Sequence, residues 1–180
     1  MSSSKQGPAT VRKRIHLRWH GSTSVVDGRL TPSNVVDMHT SGITVEASPA
    51  LTMDEVEALY REVGWTTYAD GVVTLEAALA GSSHVVAARR AGRLIGLARV
   101  VSDGATICYL QDVLVHPDAQ RAGVGRALVL AALEPYGSVR QKVLLTDDEP
   151  GQRAFYESLG YEETRDHGAG SLRAFVRFDC

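Results

Sequence analysis

The chain has 180 residues, of which 44% are hydrophobic and 22% charged, and its formal net charge is -2. This length and apolar content predict one globular domain with its own core, and no segment is long or apolar enough to cross a membrane. Two cysteines are too few for a disulfide framework, so we expect a reducing, cytoplasmic location.

The charge is unevenly distributed along the chain. The first 20 residues carry five Lys or Arg and no acid, whereas the rest of the chain carries 14 basic and 21 acidic residues. Residues 1–42 are also rich in Ser, Thr, Gly and Pro and show no steady hydrophobic period. We therefore predict a basic, disordered arm over residues 1–42 and a folded domain over residues 43–180. A solvated tail is favoured for the arm over a nucleic-acid contact.

The first half of the domain predicts a strand, two helices and three further strands. The first strand covers residues 43–47, and a capping box that begins at Thr52 opens a helix that ends near Val63. A second helix is predicted from about Thr74 to Ala80. Turn residues then separate three strands, at residues 84–90, 94–102 and 106–115, which predicts an antiparallel meander.

The second half predicts a helix over residues 123–136 and a strand over residues 141–146. A strand reached through a helix joins the sheet in parallel, by a right-handed crossover. A helix over residues 150–159, with Gly160 as its stop, and a final hairpin through residues 172–178 complete the domain. The fold class is thus α/β (α+β), with a mixed, mostly antiparallel central sheet and helices on both faces.

One segment of the chain has the pattern of an anion site. An apolar strand over residues 113–115 leads to a turn containing glycine and then to a helix. A phosphate held without a metal needs several converging N–H donors, which the unpaired amides and positive dipole end of a helix N-terminus supply. A P-loop would need Gly-Lys-Ser/Thr, and a dinucleotide fold another glycine spacing. The candidate binding residues are Gln120, Arg121, Ala122, Gly123, Val124, Gly125 and Arg126.

Two motifs together resemble the GNAT superfamily of acyl-CoA-dependent N-acyltransferases. They are Gln120-Arg-Ala-Gly-Val-Gly125 and Phe155-Tyr-Glu-Ser-Leu-Gly-Tyr161, and the resemblance covers about residues 43–178. It implies that the loop amides hold the pyrophosphate of coenzyme A. It also implies that residues 110–115 splay so that the pantetheine lies alongside them, and that Tyr156 protonates the leaving thiolate. One departure is Glu149, which stands where many members have Asn.

Acyl transfer to an amine requires a polarised carbonyl, a proton for the thiolate and a base for the amine. The N–H groups of Leu114 and Val115 are candidates for binding the thioester oxygen, unless the strand is simply paired there. Tyr156 suits the thiolate, since a phenol pKa of about 10 is close to that of a thiol; the alternative is a core aromatic. Asp112, inside an apolar strand, is the tentative base or the holder of a structural hydrogen bond.

The resemblance further implies the partners of the reaction. It predicts acetyl-CoA as co-substrate, without a metal, and direct transfer to a primary amine in a ternary complex, the acceptor being a small molecule or a peptide. The alternative is a non-catalytic acyl-CoA-binding regulatory or interaction domain. The sequence leaves a homodimer open. By the resemblance, the acceptor pocket lies in the region of Glu46, Trp65, Tyr68 and Asp70, but an exposed polar loop is the favoured alternative for each of these residues.

Overall fold

A mixed β-sheet forms the centre of the protein. The computed structural model describes residues 18–26, 29–38, 42–69, 74–168 and 172–178, and in these ranges seven strands follow one another across the sheet in chain order. Each pair of consecutive strands from β1 to β6 is antiparallel, and β7 runs parallel to β6. Their bounds are Arg18–Val26, Arg29–Met38, Ile43–Ala47, His84–Arg90, Arg93–Ser102, Ile107–Val115 and Gln141–Val143.

Five α-helices accompany the sheet in the described ranges. They are α1 Met53–Glu62, α2 Thr66–Ala69, α3 Leu75–Ala80, α4 Val124–Leu133 and α5 Pro150–Glu157. The predicted capping box is present at α1, where Thr52 N–H donates to Glu55 Oε1 at 2.9 Å and Glu55 N–H donates to Thr52 Oγ1 at 3.4 Å. In the part of the chain that the structure describes, no helix is both long and apolar enough to cross a membrane.

The sheet has a hydrophobic core on each face, as the predicted fold class requires. One core lies under α4, and the other lies under α1 and α3. The first contains Val86, Val100, Cys108, Leu110, Leu128 and Val129, and the second contains Val56, Leu59, Tyr60, Leu75, Leu97 and Leu114. The prediction of a mixed, mostly antiparallel sheet with helices on both faces is therefore confirmed.

The N-terminal region differs from its prediction. Where no regular structure was expected before Ile43, β1 pairs with β2, and β2 pairs with β3 from Val35 to Met38. Strand pairing satisfies backbone N–H and C=O groups whether or not the sequence has a hydrophobic period, so composition alone did not indicate it. Residues 1–17 lie outside the described residues.

The C-terminal half contains two further differences. β7 ends at Val143, three residues earlier than predicted, and residues 172–178 form no strand. A hairpin was predicted for that segment, but a strand also needs a partner edge. Leu172 N–H donates instead to Thr164 O at 2.9 Å, and Phe175 is 90% exposed.

Gly96 of β5 allows α4 to lie close to the sheet. A Cβ at this position would lie 2.9 Å from Leu128 Cδ1, 3.0 Å from the carbonyl oxygen of Leu114 and 3.3 Å from Val124 Cγ1. One of these neighbours is backbone and the other two are fully buried side chains of α4, so the space cannot be recovered by moving a flexible side chain to solvent.

We predict that Gly96→Ala lowers the free energy of unfolding by about 1–3 kcal/mol, because the added methyl overpacks the contact between β5 and α4. Gly151→Ala is the matched control, since a Cβ at Gly151 in α5 would meet no atom within 4 Å. Urea unfolding of both variants measures the difference. Equal midpoints for the two variants would contradict the packing argument.

Candidate active site

Strand β6 contains a β-bulge at Asp112. Its ladder with β5 pairs Gln111 with Arg99 and Val113 with Ala98, which leaves Asp112 as the extra residue, with φ of +50°. Residues four apart on a regular strand share a face, yet Leu110 packs in the core under α4 and Leu114 in the core under α1. The bulge therefore exchanges the two faces of β6 beyond Asp112.

Beyond Tyr109, β6 has one paired edge. β7 pairs with β6 only from Ile107 to Tyr109, and in the described part of the chain no other strand pairs with the same edge of residues 110–115. The two parallel strands therefore separate at the place where the resemblance implies that the pantetheine lies. A row of backbone groups is left open to a ligand there.

The alternation of the antiparallel ladder determines which amides face this open edge. His116 N–H donates to Ile95 O at 2.9 Å, so the N–H of Leu114, two residues earlier, is also directed at β5. The N–H of Val115 points the opposite way. Gln120 Nε2 donates to Val115 O at 3.3 Å, which agrees with this direction. Of the two amides predicted for the thioester oxygen, the structure places Val115 at the open edge and Leu114 in the sheet.

The loop after β6 ends at the N-terminus of α4. Arg121 and Gly123 both have positive φ, of 59° and 85°, and Gly123 is the N-cap residue, without a side chain to accept a hydrogen bond. Val124, Gly125 and Arg126 begin the helix, where N–H groups have no acceptor within the helix itself. The loop thus presents unpaired amides at the positive end of the α4 dipole, which is the geometry that an anion site needs.

The remaining loop residues have different surroundings. Arg121 and Ala122 are exposed, and Arg126 Nη1 donates to Ser158 O at 3.2 Å, at the end of α5. Gly125 does not have a positive φ. A Cβ on it would lie 3.4 Å from Phe155 Cζ, so this glycine permits α5 to pack against the first turn of α4.

Tyr156 lies on α5, next to the residue that touches the loop helix. It is half-buried against the core under α4, and its ring centroid lies 4.9 Å from that of Phe155 and 5.9 Å from that of Tyr161. Burial raises the pKa of Tyr156 above its ordinary value. The hydroxyl is therefore protonated at neutral pH and has a proton to donate. Glu149, at the departure from the family pattern, is the N-cap residue of α5 and makes no side-chain cap bond.

Asp112 is buried and accepts three hydrogen bonds. Tyr60 Oη donates to Oδ2 at 2.8 Å, Arg99 Nε donates to the same oxygen, and Gln111 Nε2 donates to Oδ1 at 2.7 Å. These contacts favour the structural alternative for Asp112 over the base. Sequence reasoning missed Tyr60 and Arg99. An arginine inside an apolar strand was the available signal, because a buried cation needs an anionic partner.

His116 ties the end of β6 to α1. Its Nδ1 accepts the N–H of Asp118 at 3.1 Å, and its Nε2 lies 3.2 Å from Glu62 Oε2. Nε2 also lies 3.0 Å from Arg93 Nη2, so a donor and an acceptor both face this nitrogen. Glu62 Oε1 also accepts a hydrogen bond from Arg93 Nη2 at 2.7 Å. The last residue of α1 is thereby held beside the start of the loop.

An aromatic cluster lies on the α1 side of the bulge. The ring of Tyr60 is 6.3 Å from that of Trp65 and 5.9 Å from that of Tyr68, and the latter two rings are 5.9 Å apart. Trp65 and Tyr68 are half-buried, as is Glu46 in β3. Asp70, also predicted near the acceptor, lies outside the described residues.

A family comparison matches the part of the chain that contains these features. The model of the acetyltransferase (GNAT) domain matches residues 81–163, which include the bulge, the loop and the whole of α5. The uncharacterized N-acetyltransferase ycf52 of Pyropia yezoensis is 25% identical over 123 residues, or 66% of this chain and 70% of that protein. The ycf52-like N-acetyltransferase of Prochlorococcus marinus is 33% identical over 118 residues, and the match spans 63% of its length.

Solved structures share the fold. The GNAT family acetyltransferase SP0256 from Streptococcus pneumoniae has a TM-score of 0.63 and 29% identity over 76% of this chain and 99% of that protein. The structure of AAC(6')-Iy in complex with the bisubstrate analog CoA-S-monomethyl-acetylneamine has a TM-score of 0.54 and covers 78% of this chain and all of its own. At 20% identity, the latter shows likeness of fold alone.

We predict that Gly123→Asp abolishes binding of acetyl-CoA, the co-substrate that the resemblance implies, because a carboxylate would enter the space that the pyrophosphate needs. Gly64→Asp is the matched control. Its φ of 86° is nearly that of Gly123, so it imposes the same backbone strain at the end of α1. Titration calorimetry measures both variants. Wild-type affinity in Gly123→Asp, or equal loss in Gly64→Asp, would contradict the phosphate-binding role.

Proposed function

Because this chain belongs to the GNAT acetyltransferases, we propose that it transfers an acetyl group from acetyl-CoA to a primary amine, directly, within a ternary complex. The observation that carries this proposal is the open edge of β6, which runs from Leu110 to the loop at the N-terminus of α4. A linear thioester cofactor with a pyrophosphate group matches this combination of an extended edge and an anion site.

Different groups of the chain bind the coenzyme, stabilise the thioester oxygen and protonate the leaving thiolate. The loop amides from Arg121 to Arg126 bind the pyrophosphate, and the open edge of β6 pairs with the amide groups of the pantetheine. The N–H of Gln120, also predicted for the pyrophosphate, already donates to Pro117 O at 3.3 Å. The N–H of Val115 donates to the thioester oxygen as charge develops there. The amine then attacks the carbonyl carbon, the C–S bond breaks, and Tyr156 gives its proton to the departing thiolate.

The amine also has to lose a proton to a base. Asp112 was the tentative candidate, but its two oxygens already accept from Tyr60, Arg99 and Gln111. We therefore assign the base to no side chain of the described residues. The alternative of a non-catalytic acyl-CoA-binding domain is set aside, because the relatives and the solved structures are named as acetyltransferases.

The protein's setting is part of the proposal. The cysteine usage supports a cytoplasmic location, and composition supports a catalytic domain that begins near Ile43. The acceptor is proposed to be a small molecule or a peptide.

We predict that Tyr156→Phe lowers kcat by about 10²- to 10⁴-fold and leaves acetyl-CoA affinity nearly intact, because it removes a proton donor and little packing. Tyr161→Phe is the matched control, since Tyr161 lies beside Tyr156 and its hydroxyl has no hydrogen-bond partner among the described residues. Thiol release measures the rates. An unchanged kcat in Tyr156→Phe would show that Tyr156 is a core aromatic and not the proton donor.

The acceptor is predicted to be cationic. Beyond residue 20 the chain holds seven more acids than bases, and a field of that sign concentrates protonated amines near the protein. Cationic amines are expected to show higher kcat/KM than neutral or anionic ones, and the advantage is expected to shrink as salt rises. An amine panel at two salt concentrations measures this. An anionic best acceptor, or rates indifferent to salt, would contradict the field argument.

A further inference from the structure

The bulge at Asp112 is a backbone feature that something has to hold in place. A residue with a side chain seldom adopts a φ of +50°, and the extra residue of a bulge loses its partner in the ladder. Aspartate is one of the few residues that tolerate this region. The preference alone does not explain why the bulge forms here, because Asp103 and Asp118 are also in this part of the chain and neither has a positive φ.

The side chain of Asp112 is joined to three elements of the protein. Tyr60 comes from α1, Arg99 from β5 and Gln111 from β6 itself, and the carboxylate is wholly inaccessible to solvent. Arg99 also reaches the turn that follows α3, since its Nη1 lies 3.5 Å from Ser82 Oγ. A buried carboxylate with three donors, one of them a cation, is held firmly in one geometry.

The directions of the side chains and amides of β6 beyond Asp112 depend on this one residue. With the bulge, Leu114 fills the core under α1 and the N–H of Val115 faces the open edge. A regular strand continued from Leu110 would turn Leu114 to the α4 side and direct the Val115 amide at β5. The bulge thus decides which amide can meet the pantetheine and the thioester.

We propose that Asp112, with Tyr60 and Arg99, is a positioning group that locks the bulge and so presents the open edge of β6 to the pantetheine arm. The proposal rests on the proposed function, because it assigns these residues to the same coenzyme site. Asp112 acts here through the backbone. It neither touches the coenzyme nor takes the proton of the amine, since its oxygens are occupied and it has no path to solvent.

The experiment compares two ligands. Acetyl-CoA uses both the loop and the open edge, whereas 3′-phosphoadenosine 5′-diphosphate lacks the pantetheine and uses the loop alone. We expect Asp112→Asn and Tyr60→Phe to weaken acetyl-CoA binding about tenfold, as loss of a hydrogen bond to a buried charge implies, and to change the affinity of the shorter ligand less than twofold. Titration calorimetry measures both affinities.

Tyr136→Phe is the matched control, because it removes a tyrosine hydroxyl bonded to Ser83 that lies away from the bulge, beside the other core. It is expected to leave both affinities unchanged. Equal weakening of both ligands by Tyr60→Phe, to the degree that stability falls, would overturn the proposal. So would intact acetyl-CoA affinity with a kcat deficit that grows at low pH, which is the signature of a base.

Hydrogen exchange makes the test independent of the coenzyme. In Tyr60→Phe, the amides of residues 110–115 are expected to exchange faster than in Tyr136→Phe, while those of β4 are unchanged. Unaltered exchange at residues 110–115 would overturn the proposal that Asp112 holds the bulge in place, even if the wild type bound neither ligand. The absence of binding in the wild type would itself count against the proposed function and not against the lock.

Discussion

The unequal pairing of β6 is the constraint on which the site depends. This strand is bonded to β5 along its length but to β7 over three residue pairs. Backbone N–H and C=O groups are strong hydrogen-bonding groups, and an edge that leaves them open needs water or a ligand. The early end of β7 therefore leaves the edge of residues 110–115 without a strand partner in the described part of the chain, and this is the edge that we propose for the coenzyme.

The proposed anion site and the proposed proton donor are linked by close packing. Gly125 lets the ring of Phe155 approach the first turn of α4, and Arg126 reaches back to the carbonyl of Ser158. These two contacts set α5 against the loop helix. Tyr156 follows Phe155 on the same helix, so the contact between α4 and α5 sets the distance from its hydroxyl to the loop that we propose for the pyrophosphate.

The two faces of the sheet are connected through buried polar groups. In the described part of the chain, the buried polar or charged residues are Asp112 and His116, and both lie at the end of β6. Each binds a residue of α1, Tyr60 in one case and Glu62 in the other. Helix α1 is thus fixed to β6 and to the loop that follows it. A pair of buried polar contacts specifies this geometry more narrowly than apolar packing does.

The sequence by itself determined the elements that local chemistry controls. The capping box at Thr52, the glycine at 123 and the proline at 150 act within a few residues of the helices that they begin, so those helices could be predicted. The turn residues at 91–93 and 103–105 predicted the three strands between His84 and Val115 for the same reason. The two motifs near Gly123 and Tyr156 indicated the family, since each lies on a continuous segment.

Only the tertiary structure decided what depends on distant partners. Cys108, Leu110, Asp112 and Leu114 alternate as if they shared one face, yet the bulge divides them between two cores. Tyr60 is 52 residues from Asp112, and no local pattern joins them. The pairing of β2 with β3 and the exposure of residues 172–178 likewise depend on whether an edge is available. Strand register and buried charge pairing are properties of the assembled sheet, which is why periodicity could not reveal them.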